Sequence, residues 1–179
     1  MNEIVEAIAQ YALAYKKLEA IQRANPALLP RGDQKTGVIA EFYGRLYAAE
    51  RFFPATPVFG STSEHAWDIK IPQPSGDSLK IQIKAVSAHA EKSRISPIHS
   101  GWDELWLMRL TEEMVPEGFW VYRKSTCPWA LNSQKSKTMP QRGKPGTGSV
   151  ELRNGEDKLV ELLDVIARAK RAAEKDQSR

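Results

Sequence analysis

The chain has 179 residues, of which 41% are hydrophobic, and a formal net charge of +4 at pH 7. This length suits one domain with one core, because a domain of about 150 residues buries roughly 70% of the surface of its unfolded chain. Cys127 is the only cysteine, which excludes an internal disulfide and favours a reducing compartment. No apolar run of membrane-spanning length and no secretory leader pattern occurs, so we expect a soluble, cytoplasmic protein without membrane contact.

Two amphipathic helices are predicted near the amino terminus. The first covers residues 2 to about 23, and its apolar stripe consists of Ile4, Ile8, Tyr11, Tyr15 and Leu18. This stripe predicts packing on the core, with the seam of a dimer as the alternative. The second helix runs from Thr36 to about Phe53, and its predicted buried residues are Val38, Ile39, Phe42, Leu46 and Phe53.

Glu41 and Arg45 lie four residues apart on the flank of this second helix. One interpretation is a surface ion pair, which is worth a few tenths of a kcal/mol. The other is that Glu41 leans over the polar face of the hairpin that follows. A short strand from Pro57 to Gly60 fits between the helix and that hairpin.

The stretch from Ala66 to Ser87 predicts a β-hairpin whose reversal is confined to Pro-Ser-Gly-Asp. A period of two turns one set of side chains inward, namely Trp67, Ile69, Ile71, Leu79, Ile81, Ile83 and Ala85. The polar set on the opposite face consists of Asp68, Lys70, Lys80, Gln82 and Lys84. A solvated surface is the plain interpretation of this face.

The predicted register brings polar side chains of the two strands close together. Two strands that bury a common face must place Asp68 opposite an even-numbered residue, either Gln82 or Lys84. Directly opposed Cβ atoms lie about 5 Å apart. An acid, an amide oxygen and an ammonium group would then meet in one patch, as a hard divalent cation and an activated water require.

At these residues the sequence resembles the PD-(D/E)XK nuclease superfamily, the fold of many restriction enzymes, junction resolvases and some homing endonucleases. The resembling spacing is Asp68, thirteen residues, then Gln82-x-Lys84. The resemblance implies that Asp68, Gln82 and the backbone carbonyl of Ile83 hold Mg²⁺, with Mn²⁺ able to substitute. It also implies that Lys84 positions or activates the attacking water.

Two further points depend on this resemblance. Many members add a Glu from the preceding helix, and Glu41 looks like that catalytic and metal-binding residue. Gln82 stands where a Glu is usual, although some members carry Gln. The neutral amide removes one negative charge, so weaker Mg²⁺ binding is expected, and a non-catalytic DNA-binding protein of the same fold is the alternative.

The remaining elements complete a sheet and add a last helix. Strands are predicted from Asp103 to Leu110 and from Gly118 to Lys124, and a helix from about Asn154 to Lys175. The buried residues expected on that helix are Leu159, Leu162, Leu163, Ile166 and Ala169. Trp106, Trp120 and Tyr122 are expected in the core, whereas Trp102 and Trp129 are the candidates for stacking on bases.

The positive charge is concentrated in one stretch, since residues 123 to 150 contain six bases and no acid. These bases are Arg123, Lys124, Lys135, Lys137, Arg142 and Lys144. Residues 125 to 149 lack apolar periodicity, so a loop that contacts DNA phosphates is expected. Ser87, Lys92 and Arg94 follow Lys84 and are further candidates for contact with DNA.

The sequence thus predicts a single α/β domain over residues 1–179, with a mixed sheet of about four or five strands flanked by helices. The restriction-endonuclease-like core would cover residues 33–124, with an extra helix at each end. The expected activity is Mg²⁺-dependent hydrolysis of phosphodiester bonds in DNA, most consistent with a restriction-type endonuclease. A junction-resolving or homing nuclease stays open. Duplex cleavage by so small a chain would suggest a two-fold homodimer, with the first or the last helix as the candidate seam.

Overall fold

A computed structural model describes residues 2–24, 35–60, 67–90, 93–127, 136–144 and 146–177. This part of the chain contains three helices, α1 (Asn2–Ala24), α2 (Lys35–Arg51) and α3 (Leu159–Gln177). Its strands are β1 (Val58–Phe59), β2 (Ile69–Pro72), β3 (Ser78–Ser87), β4 (Arg94–Ile95), β5 (Glu104–Leu110), β6 (Pro116–Arg123), β7 (Lys137–Thr138) and β8 (Glu156–Asp157). Short 3-10 helices lie at Lys124–Thr126 and Val150–Leu152.

The central sheet has six strands in the order β1-β2-β3-β5-β6-β8. The pair β3 and β5 is parallel, and the other neighbouring strands are antiparallel. A parallel pair requires a crossover connection, and residues 88–103 provide it. The predicted α/β fold with a mixed sheet and flanking helices is confirmed, although the sheet has one strand more than expected.

The two faces of the sheet are covered by different parts of the chain. One face packs against the helices, through residues such as Ile83 and Trp106 on the strands and Tyr43 and Tyr47 on α2. The other face is covered by the crossover and by the segment after residue 136, which contribute Ile95, Ile98, Trp102, Met139 and Leu152. Strands β4 and β7 pair with each other in this second layer.

The close approach of α2 to β3 depends on Gly44. A Cβ atom at this position would overlap Cδ1 of Ile83 and would lie 3.7 Å from Cε3 of Trp106. Any larger side chain would therefore require the end of the Ile83 side chain to move. Because Glu41 lies one turn earlier on the same helix, this contact fixes its distance from the hairpin.

Several predicted burials are wrong at the edges of the helices. Phe53 is 82% exposed and Val38 is 58% exposed, because α2 ends at Arg51 and Val38 lies on its outer side. Leu163 of α3 is 39% exposed, so it is not a core residue. That helix begins at Leu159 rather than near Asn154, because Glu156 and Asp157 pair with β6.

The predictions for the aromatic residues are confirmed in part. Trp106, Trp120 and Tyr122 are buried in the core, as expected. Trp102 is 2% exposed, so its prediction as a base-stacking platform is wrong, since the crossover turns it into the second layer. Trp129 lies outside the described residues. No helix in the described part of the chain is long and apolar enough to cross a membrane.

Candidate active site

Asp68 lies immediately before the first residue of β2, at the end of the hairpin away from its turn. Ile69 pairs with Ile81 and Lys70 with Lys80, and continuing this register by one residue places Asp68 level with Gln82. The backbone N–H of Asp68 donates to the Ile81 carbonyl at 2.8 Å. Of the two registers that the sequence left open, the paired residues of β2 and β3 correspond to the one that, extended by one residue, opposes Asp68 and Gln82.

The carboxylate of Asp68 reaches across to the middle of β3. Its Oδ2 accepts a hydrogen bond from the backbone N–H of Ile83 at 2.5 Å. The N–H and C=O of one strand residue point to the same side of the strand. The Ile83 carbonyl therefore points toward the side on which Asp68 lies.

Gln82 and Lys84 project from the same face of β3 but differ in exposure. Gln82 is 3% exposed, because it faces the layer formed by the crossover. Lys84 is half-buried, and its Nζ donates to Oγ of Ser96 on the crossover at 3.1 Å. The ammonium group is thus held by a contact from outside the hairpin.

Of the two interpretations of Glu41, the ion pair with Arg45 is present, and its placement over the hairpin stays a prediction. Glu41 forms an ion pair with Arg45 at 3.6 Å, and it also interacts electrostatically with Asp68. Arg45 in turn lies over the ring of Phe59 at 4.5 Å. The helix therefore brings a second carboxylate and a guanidinium group to the hairpin.

The surroundings shift the pKa values of all three ionisable groups in the same sense, away from charge. Burial raises the pKa of Glu41, and the Asp68 carboxylate raises it further. Burial also raises the pKa of Asp68, against the opposing effects of the Ile83 N–H and of Lys84. Burial lowers the pKa of Lys84, which Asp68 partly offsets. Clustered shifts of this kind are typical of functional sites.

The donor atoms fit a hard divalent cation. Two carboxylates, one amide oxygen and one backbone carbonyl supply oxygen ligands only, which is the set that Mg²⁺ prefers. Among the described residues, no group of three or more His, Cys, Asp or Glu side chains is arranged to hold a metal. A site here would therefore depend on Gln82 and Ile83 as well as on the two acids.

The predicted DNA contacts beyond Lys84 are distributed unevenly. Ser87 is buried at the end of β3, so its hydroxyl does not face DNA, contrary to prediction. Arg94 is exposed on β4. Lys92 and Lys135 lie outside the described residues, and their predicted contacts stay predictions.

Acidic residues neutralise much of the basic stretch. Arg123 pairs with Glu156 at 3.2 Å, Lys137 with Glu151 at 2.8 Å and Arg142 with Asp157 at 2.8 Å. The acids belong to the segment that follows the stretch, so local charge counting missed them. Lys124 and Lys144 are exposed and have no acidic partner among the described residues.

The sequence did not predict the contact between Ser96 and Lys84. Ser96 lies twelve residues after Lys84, in a segment that shows no periodicity. No local pattern indicates that the crossover folds back over β3. Cys127, by contrast, is buried, and burial raises the pKa of its thiol, which agrees with an inert role.

No protein-family model matches the chain, and no curated protein sequence matches it. Among solved structures, the structure of this chain is similar to the structure of a bacterial homing endonuclease, I-Ssp6803I, with 16% sequence identity and a TM-score of 0.46. The match covers 78% of this chain and 98% of that chain. Similarity this low leaves the chemistry to be inferred from the residues of the hairpin and α2.

Proposed function

We propose that the chain is a metal-dependent DNA endonuclease of the PD-(D/E)XK type. The observation that supports this proposal is the register of β2 and β3. Extended by one residue, this register opposes Asp68 and Gln82, and the Asp68 carboxylate accepts from the Ile83 N–H. The charge of Asp68 raises the pKa of Glu41, and the charge of Lys84 acts to lower the pKa of Asp68. A plain solvated hairpin would not gather two half-buried acids and a half-buried lysine around a buried amide.

Each residue has a distinct role in this proposal. Asp68, Gln82 and the Ile83 carbonyl would hold Mg²⁺ or Mn²⁺, and Glu41 would act through a second ion or a bridging water. When bound, the ion would polarise the phosphate and lower the pKa of a bound water. Lys84 would orient that water, since its Nζ is held by Ser96 and its surroundings oppose full charge.

The class of nuclease is proposed more narrowly as restriction-type, with junction-resolving and homing nucleases as relatives in the same chemistry. One observation favours a second candidate function, a non-catalytic DNA-binding protein. Gln82 is neutral and nearly fully buried, so it contributes no charge to hold a cation. Metal dependence separates the two candidates.

The test is cleavage of supercoiled plasmid by the purified protein with Mg²⁺ or Mn²⁺, beside an EDTA control. We expect nicked or linear product only with the metal. Lys84→Ala should reduce the rate by at least about 100-fold, because a positioned hydrogen-bonding group near the attacking water is lost. Lys170→Ala on exposed α3 is the matched control and should cleave normally. DNA binding without cleavage at any metal concentration would favour the non-catalytic candidate.

We further propose that two copies associate through α1, because one site cuts one strand. The centre of the predicted stripe packs inward, since Tyr15 is buried. Its outer edge does not, since Ile4, Leu18 and Ile21 are each 43–47% exposed. Together with Ala7, Tyr11 and Ala14 they occupy heptad positions on one side of α1, which we call the seam; Tyr11 is half-buried and also packs against the core.

This seam is complementary to itself in antiparallel order. Tyr11 would then face Ala14 of a second copy and Leu18 would face Ala7, so that large side chains pack on small ones. A parallel pair would instead oppose tyrosine to tyrosine and alanine to alanine. The occupant that fits the seam is therefore a second α1.

Sedimentation analysis tests this dimer. The unmodified chain should sediment as a dimer, and Leu18→Glu should give a monomer because it buries a charge in the seam. Leu13→Glu is the matched control, since Leu13 is 71% exposed on another side of the helix, and it should stay dimeric. A monomeric unmodified chain at tens of micromolar would contradict the proposal.

A further inference from the structure

The polar face of the hairpin continues beyond the candidate active site into an open groove of about 800 Å³. The lysine groove, as we call it, is lined by Lys70, Lys80 and Lys124 together with Gln73, Asp77 and Asp103. Lys80 lies two residues before Gln82 on β3, a distance of about 6.6 Å along a strand. This spacing is on the scale of one nucleotide step in a DNA strand.

Lys70 and Lys80 are directly opposed across β2 and β3. Like charges in this arrangement are destabilising, by a few tenths of a kcal/mol. Both belong to the same face of the hairpin as Gln82, because the three positions are even-numbered in one register; Asp68 immediately precedes this stretch of β2. The hairpin thus accepts an unfavourable pair immediately beside the candidate active site.

The acids of the groove do not neutralise this pair. Among the described residues, no carboxylate forms an ion pair with any of the three lysines, in contrast to Arg123, Lys137 and Arg142. Asp103 is turned to the backbone, where its Oδ2 accepts from the N–H of Lys80 at 2.8 Å. Asp77 is exposed on the hairpin turn.

One of the lysines is held in place by an aromatic ring. Nζ of Lys70 lies 3.9 Å from the ring centroid of Trp67, and Trp67 is buried. A cation over an aromatic face is attracted to the ring. Lys70 therefore lines the groove with its ammonium group held at Trp67 rather than left to move freely in solvent.

From these observations we infer that the lysine groove binds the phosphodiester backbone of the DNA strand next to the cleaved phosphate. Each phosphate that a lysine neutralises releases counterions, which drives binding. The repulsion between Lys70 and Lys80 is relieved at the same time. The inference rests on the proposed function, and it assigns the principal backbone contact to the hairpin lysines together with Lys124, rather than to the paired residues of the basic stretch.

The test measures DNA binding in EDTA, so that cleavage does not contribute. Fluorescence anisotropy with a labelled duplex at several salt concentrations gives the slope of log affinity against log salt. Lys70→Gln/Lys80→Gln should lower the magnitude of this slope by about 2, close to 0.9 per lost phosphate contact. Affinity at low salt should fall about tenfold. Lys17→Gln/Lys170→Gln, on the exposed sides of α1 and α3, is the matched control with the same change in net charge and should keep the original slope.

Thermal unfolding distinguishes the loss of a DNA contact from damage to the fold, because damage would lower the melting temperature. Lys80→Gln removes the repulsion and leaves the contact between Lys70 and Trp67 in place, so it should leave the melting temperature unchanged or slightly raised while DNA binding weakens. A groove variant with the salt slope of the unmodified chain overturns the inference.

The outcomes also separate this inference from the proposed function. If the unmodified chain cleaves and the groove variant keeps its salt slope, the groove inference fails and the nuclease stands. If binding depends on the groove but no metal supports cleavage, the groove stands and the nuclease fails. If the unmodified chain binds no DNA, both fail.

Discussion

Replacing Asp68 by asparagine is expected to reduce cleavage by at least about 1,000-fold and to make the fold more stable at neutral pH. Asparagine keeps the shape of the side chain and an oxygen that can accept from the Ile83 N–H. It removes the charge that would hold the cation, which accounts for the loss of activity. Opposite effects on activity and stability mark a residue kept for function.

The expected gain in stability depends on pH in a defined sense. Burial raises the pKa of Asp68 in the folded chain above its value in the unfolded chain, so folding favours the protonated form. The unmodified chain therefore loses stability as pH rises from the unfolded to the folded pKa of this group. The advantage of Asp68→Asn should be absent in acid and fully developed above the folded pKa.

Urea denaturation across a pH series, in EDTA, measures this difference. Asp77→Asn on the exposed hairpin turn is the matched control and should change the free energy of unfolding by less than about 0.5 kcal/mol. If Asp68→Asn were less stable at every pH, Asp68 would be a structural residue. The proposed metal ligand would then have to be sought elsewhere.

The hairpin was predictable from sequence because its information is local. Alternation of apolar and polar residues sets the faces, and the turn residues limit the register to two choices, one of which holds Asp68 against Gln82. The structure outside the hairpin depends on contacts between residues that are far apart in the sequence. The short strands β4 and β7 pair across more than forty residues, and no periodicity in either segment indicates that pairing.

The ion pairs likewise could not be predicted from the local sequence. The basic stretch looks unpaired in sequence, yet Glu151, Glu156 and Asp157 fold back onto it. Lys70 and Lys80 look like an ordinary solvated surface, yet the register opposes them without an acidic partner among the described residues. Counting charges along the sequence therefore overestimated the unpaired positive charge of the basic stretch and underestimated that of the lysine groove.

Replacing Gln82 by glutamate is expected to destabilise the metal-free fold by about 3 kcal/mol. The side chain is 3% exposed, and a carboxylate there would be buried near Asp68, with Glu41 as a third acid. Burying an additional charge among like charges is costly unless a cation compensates it. In the absence of metal, no such ion is present, and Lys84 alone offsets only part of the charge.

Mg²⁺ should reverse this loss if Gln82 occupies a metal site. Three acids hold a hard cation more tightly than two acids and an amide do. A ligand that binds only the folded chain adds about 2.7 kcal/mol at 100 times its dissociation constant. The Gln82→Glu substitution would thus restore the usual ligand set, and the variant should recover most of its stability and bind Mg²⁺ at least about tenfold more tightly than the unmodified chain.

Urea denaturation with EDTA and with increasing Mg²⁺ provides the measurement, beside Gln73→Glu as a matched control on the hairpin turn. The control should respond little to Mg²⁺, because Gln73 lies at the turn end of the hairpin, away from Asp68. A Gln82→Glu chain that stays destabilised at all Mg²⁺ concentrations would show that the amide faces no metal. In that case the burial of Gln82 serves packing, and the fold would use its polar hairpin for binding DNA without cutting it.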